Sequence, residues 1–146
     1  MVNNMSRTLK LGAERLIAGG SEVVVELSQG EAATFALELV LLLRGLTNLV
    51  NVMAGAAKLV LRLAEPTSTA TTFNREASGR MVCSLTRDNA EYLEATLLRA
   101  YRDGMAEVNH VHVQGTLDGE SFDLTLLFDS SRLPMTPEEA EKLMSR

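Results

Sequence analysis

The stretch Val108 to Phe128, VNHVHVQGTLDGESFDLTLLF, decides the fold. Its centre, Asp118-Gly119, is a two-residue hairpin loop, because a type I′ turn needs positive φ at both positions. With Leu117 opposite Glu120, Val113 faces Leu124, Val111 faces Leu126 and Asn109 faces Phe128. Side chains alternate along a strand, so these residues share one sheet face, apolar except for Asn109. The other face carries His110, His112, Gln114, Asp123, Thr125, Leu127 and Asp129. The stretch therefore predicts a sheet with one buried and one largely polar face.

Working backwards, Arg87 to Asp103 reads as an amphipathic helix. Thr86 caps it, Gly104 stops it, and Ala90, Leu93, Leu97 and Tyr101 point inward. Arg80 to Leu85 reads as a strand with Met81, Cys83 and Leu85 on one face. Residues 64–80 form a polar connection, within which Ala70 to Asn74 suits an edge strand. Leu49 to Met53 and Lys58 to Leu63 read as strands around Ala54-Gly55-Ala56-Ala57. Glu22 to Leu27 is a further strand, and Thr8 to Ile17 alternates loosely enough for another. Residues 1–7 are expected to be a disordered tail.

Ser28-Gln29-Gly30-Glu31 is a capping-box pattern opening a helix to Arg44, with Gly45 suited to a left-handed stop. This helix is apolar around most of its circumference. Only Glu31, Thr34 and Glu38 make a narrow polar stripe, so it must be covered on more than one side. Forward of the hairpin, Thr136-Pro137-Glu138-Glu139 opens a short helix to Ser145, which must dock through Ala140, Leu143 and Met144.

The two halves match at an offset of 58 residues, from Ser28 to Thr86. Val23, Val25 and Leu27 then overlay Met81, Cys83 and Leu85, and Val50-Asn51 overlays Val108-Asn109. Each half reads strand, helix, strand, strand. The expected fold is α+β: a mainly antiparallel sheet with two helices on one face, built from two βαββ-like halves, plus the short C-terminal helix. A ferredoxin-like βαββαβ core with extra strands is the nearest competitor.

The chain has 146 residues, a size suited to one domain, and is 46% hydrophobic with no Trp and 4% aromatics, so its core is aliphatic. Its net charge of −5 and lack of any basic run disfavour nucleic-acid binding. The single cysteine excludes an internal disulfide. The most apolar run, Phe35 to Leu46, contains Glu38 and Arg44 and falls short of the roughly 18 apolar residues of a membrane span. With no secretory signal, the expected compartment is the cytoplasm.

No phosphate-binding glycine loop, dinucleotide fingerprint or G-x-S-x-G nucleophile elbow is present. His110-Val111-His112 places two imidazoles about 7 Å apart on one strand face. A catalytic zinc generally takes three protein ligands, and Cys83 falls on the opposite face, so no metal or other cofactor is expected. Cys83 itself has aliphatic neighbours and reads as a small buried hydrophobe. The carboxylates Glu91 and Glu94, and Glu138, Glu139 and Glu141, read as solvated helix surface.

These observations predict a non-enzymatic protein-binding module, a small acidic homodimer of the chaperone or immunity-protein type. That likeness is one of size, charge and missing motifs. Phe35, Leu37, Leu41 and Leu42 are its interface candidates. The alternative is a small-ligand or metal-binding protein, even an enzyme, using the open face at His110, His112, Gln114, Asp123 and Thr125.

Overall fold

The computed structural model describes residues 6–103 and 110–128, and these form nine strands and two helices. In chain order they are β1 (Ser6–Leu11), β2 (Leu16–Ala18), β3 (Glu22–Leu27), α1 (Gln29–Leu43), β4 (Leu49–Ala54) and β5 (Ala57–Leu63). Then come β6 (Thr71–Arg75), β7 (Met81–Leu85), α2 (Arg87–Asp103), β8 (His110–Leu117) and β9 (Glu120–Phe128). The expected C-terminal helix, the Gly104 stop and the Asn109–Phe128 pair lie outside the described residues.

The hairpin has the expected register, with Leu117 opposite Glu120, Val113 opposite Leu124 and Val111 opposite Leu126. Asp118 and Gly119 both adopt positive φ, as the turn demands. Val111, Val113, Phe122, Leu124, Leu126 and Phe128 are buried. The α1 capping box is complete: the Glu31 amide donates to Ser28 Oγ at 3.2 Å, and the Ser28 amide to Glu31 Oε1 at 2.9 Å. Thr86 caps α2 by accepting from the Asn89 amide at 3.1 Å.

The sheet differs from the expectation. It is mixed, in the order β1-β4-β5-β7-β6-β8-β9-β3-β2. Antiparallel pairs (β4–β5, β7–β6, β8–β9 and β3–β2) alternate with parallel ones (β1–β4, β5–β7, β6–β8 and β9–β3). The antiparallel pairs are hairpins joined by short turns. The parallel pairs join strands that no single turn connects, from Leu59 with Met81 to Glu22 with Asp123, and leave no local pattern in the sequence. β6 is accordingly no edge strand; it lies inside the sheet between β7 and β8. The N-terminal segment also differs: β1 starts at Ser6, so the expected tail cannot include residues 6 and 7, and the single strand expected over Thr8 to Ile17 is broken in two. From cap to hairpin turn, Ser28 to Gly55 is five residues shorter than Thr86 to Asp118, so the overlay of Val50 on Val108 does not hold. Counted from the turns, Val50 corresponds to Val113.

Strand directions bring both helical connections to one end of the sheet. α1 leads from the end of β3 to the start of β4, and α2 from the end of β7 to the start of β8. The helices run antiparallel: Gln29 Nε2 donates to the Tyr101 carbonyl at 2.8 Å, and Arg87 Nη2 to the Leu43 carbonyl at 3.1 Å. Their buried sides and the inward side chains of the sheet form one core. The two outermost strands, β1 and β2, are consecutive in the chain and separated only by Gly12 to Arg15. So short a link forces the sheet to curl until its ends meet. Arg75, at the far end of β6, accordingly reaches the Gly19 carbonyl in the β2–β3 turn at 3.4 Å.

One close approach fixes a glycine. A Cβ at Gly115 would lie 2.6 Å from the Thr71 carbonyl oxygen and 2.7 Å from Phe73 Cε2. The Phe73 ring occupies that space and packs on Phe122 with centroids 4.8 Å apart. Gly115→Ala is expected to cost about 1–3 kcal/mol by overpacking. Leu124→Ala or Leu126→Ala should cost about 2–5 kcal/mol by leaving a cavity. Thr125→Ala, which loses one hydrogen bond, should cost about 1 kcal/mol. Urea melts check all three, and equal losses at positions 124 and 125 would contradict the assignment of faces.

Candidate functional site

Three surfaces carry side chains with a capacity for function: the outer face of β8–β9, the outer side of the helix pair, and the seam where the sheet closes. On the first, His110 and His112 are exposed, with ring centroids 5.2 Å apart. Gln114 is exposed opposite a half-buried Asp123, and His112 lies opposite Thr125. Thr125 is not open to solvent: it is only 7% exposed, and its hydroxyl donates to Glu22 Oε2 on β3 at 3.0 Å. Asp123 Oδ1 is shielded from solvent and has no hydrogen-bond partner. Among the described residues no three His, Cys, Asp or Glu side chains gather where one ion could bind them. Cys83 is fully buried in the core, and loss of solvation pushes its thiol well above the ordinary thiol range.

On the helix pair, the structure separates the four interface candidates. Phe35 and Leu42 are buried within this chain, so a partner cannot reach them. Leu37 faces solvent at 53% exposure, and Leu41 is half-buried. Sequence reasoning did not single out three exposed side chains on α2: Leu98 is 45% exposed, Tyr92 53% and Tyr101 49%, with the two tyrosines on opposite flanks of the helix. Tyr101 was expected to point inward, but the buried arc of α2 runs through Ala90, Leu93, Thr96, Leu97 and Ala100 and leaves it outside. Among the described residues no helix is long and apolar enough to cross a membrane.

The seam is closed by β1 and β2 together. Arg7 of β1 forms a bidentate pair with Glu38 of α1, Nε to Oε2 at 3.0 Å and Nη2 to Oε1 at 3.1 Å. Arg15, just before β2, forms a second bidentate pair with Glu31, with Nη1 to Oε2 at 2.8 Å and Nη2 on Oε1. Glu38 and Arg15 are buried, whereas Arg7 reaches out to solvent. These pairs use two of the three residues in the polar stripe of α1. The stripe was visible in the sequence, but its partners were not, because Arg7 and Arg15 sit in a segment with no marked pattern.

Burial opposes the ionisation of Glu31, but hydrogen bonds from Arg15 and the Ser28 amide, with the Arg15 charge, outweigh it and hold the carboxyl below its ordinary range. Comparison with protein-family models, with curated proteins and with solved structures finds no significant match.

Because the folded-state pKa of Glu31 is lowered, its contribution is fully present above the unfolded carboxyl pKa. It is lost as pH falls through the folded value. Glu31→Gln keeps a capping-box residue but removes the charge, so it should flatten the acid limb of a stability-versus-pH curve followed by thermal melts. At neutral pH, a thiol reagent should leave Cys83 unmodified in the folded protein and modify it fully in denaturant. A chelator should not change the melting temperature of the purified protein.

Proposed function

We propose that this chain is a non-enzymatic protein-binding module that acts as a homodimer through the outer side of the α1–α2 pair. One observation carries the reading: Leu37 on α1, and Leu98 and Tyr101 three residues apart on α2, stand roughly half exposed on two adjacent helices. Single exposed leucines are ordinary, but several large apolar and aromatic side chains on neighbouring elements are the composition of contact surfaces. α1 adds to the argument, because half-buried Val40 and Leu41 border Leu37 and would be covered with it. A two-fold arrangement suits the surface, since two-fold dimers are the commonest assemblies and one self-complementary patch then serves both copies.

The alternative, a small-ligand or metal-binding protein using the histidine face, has the close imidazole pair in its favour. It is the weaker reading because the Thr125 hydroxyl is turned to Glu22 on β3 and, among the described residues, no third ligand joins the pair. Sedimentation equilibrium tests the choice. The protein should be dimeric at micromolar concentration, and Leu37→Asp combined with Leu98→Asp should make it monomeric with an unchanged circular dichroism spectrum. A monomeric parent protein would overturn the proposal. A stoichiometric metal lost from a His110→Ala, His112→Ala variant would favour the alternative.

A further inference from the structure

The sheet is completed by a segment that differs from every other strand in how it is held. In the second half, β6 alone bridges two neighbours, antiparallel to β7 and parallel to β8. In the first half the corresponding bridge is split. β2 runs antiparallel to β3 over three residues, and β1 runs parallel to β4 over six. Between them Gly12 to Arg15 breaks the strand, with Glu14 in the left-handed region at φ 71°. Such a φ is uncommon outside glycine and marks an imposed bend.

Residues 6–18 therefore form one strap laid across the gap between β3 and β4. Its inward side chains, Leu9, Leu11 and Leu16, retain slight exposure, whereas those of β3 and β4 are almost fully enclosed. Its two arginines reach Glu31 and Glu38, which lie seven residues apart on one side of α1. The strap joins the rest of the fold through the Gly19-Gly20-Ser21 turn, where a side chain at Gly20 would meet nothing within 4 Å.

We propose that this strap is exchangeable: the slot between β3 and β4, with Glu31 and Glu38 at its side, takes residues 6–18 of a second copy of this chain. The occupant follows from the slot. It needs two short strand pieces of opposite pairing sense, a bend between them, leucines in the inward positions, and one arginine near the start and another at the bend. Residues 6–18 meet every one of these requirements. Opening without a replacement would leave the backbone edges of β3 and β4 unpaired and two carboxylates without their arginines. Exchange restores each contact and changes only the turn at Gly19–Ser21, which is why swapped elements form dimers at little cost. The inference goes beyond the homodimer reading and uses a different surface: in a singly folded copy the strap closes on its own chain, so the Leu37→Asp, Leu98→Asp variant stays monomeric until it is unfolded and refolded with a complementary chain, and each reading can fail alone.

The experiment mixes two charge-reversed variants, Arg7→Glu and Glu38→Arg, both in a Leu37→Asp, Leu98→Asp background that removes association through the helices. Each variant by itself sets like charges against each other. In an exchanged pair of unlike chains, both seams carry opposite charges again. Co-refolding the two from urea should give a one-to-one heterodimer by sedimentation and native mass spectrometry, melting higher than either variant refolded alone. Two separate monomers, or a mixture that stays unfolded, would overturn the proposal. Native-state hydrogen exchange on the unaltered protein gives a second readout. The amides of residues 7–11 and 16–18 should exchange as one set, at least tenfold faster than those of β8 and β9. Protection equal to that of β8 and β9 would equally overturn it.

Discussion

The whole arrangement depends on enclosing α1. A helix apolar around most of its circumference has no stable place on the surface of a single sheet. Here the inward side of the curled sheet takes Phe35, Leu39 and Leu42, α2 lies alongside, and the strap lies along Glu31 and Glu38. The curling follows from the same need. A flat nine-stranded sheet would set β1 and β2 far apart, and Gly12 to Arg15 could not join them. Closing the sheet also covers edges that would otherwise offer unpaired backbone to other chains.

The two ion pairs hold this closure in register more than they add to stability. Burying a carboxylate such as Glu38 costs solvation, and pairing with a half-exposed Arg7 recovers only part of it. Their value is geometric. Planar guanidinium groups meet carboxylates in a fixed two-point arrangement, and two such points seven residues apart define where the strap lies. A slip of one residue along β1 would turn Leu9 and Leu11 outward and carry Arg7 away from Glu38. Hydrophobic pattern and charge pairing therefore select the same register.

Much of the fold was legible because it is written locally. Asp118-Gly119 fixed the hairpin register, and Ser28 with Glu31 and Thr86 with Asn89 fixed where the helices begin. The parallel pairings were not legible, since β5 meets β7 and β9 meets β3 across long separations with no turn to announce them. β6 illustrates the difficulty. Thr71-Thr72-Phe73-Asn74-Arg75 reads as polar edge sequence, yet it sits centrally because its outward side needs no cover and Phe73 fills the space above Gly115. The candidate site was legible in part. The His110–His112 face follows from strand alternation alone, but the burial of Thr125 depends on β3, a strand whose place beside β9 the sequence does not reveal.

The contrast between the two helices carries the functional argument furthest. α2 divides cleanly, with Ala90, Leu93, Leu97 and Ala100 inside and Arg87, Glu91, Arg99 and Arg102 outside. On such a helix nothing requires Leu98, Tyr92 and Tyr101 to be exposed, because polar residues would satisfy water better. On α1 Leu37 is open to the same objection, for it lies opposite the buried arc rather than at its margin. Each of these half-exposed leucines forgoes about half of the roughly 1.5–3 kcal/mol that full burial supplies. A fold that seals its sheet with two matched ion pairs yet leaves these side chains outside is consistent with a partner that covers them. The helix side and the seam are thus separate surfaces, one where leucines and tyrosines stand among charged residues, the other built around two bidentate ion pairs.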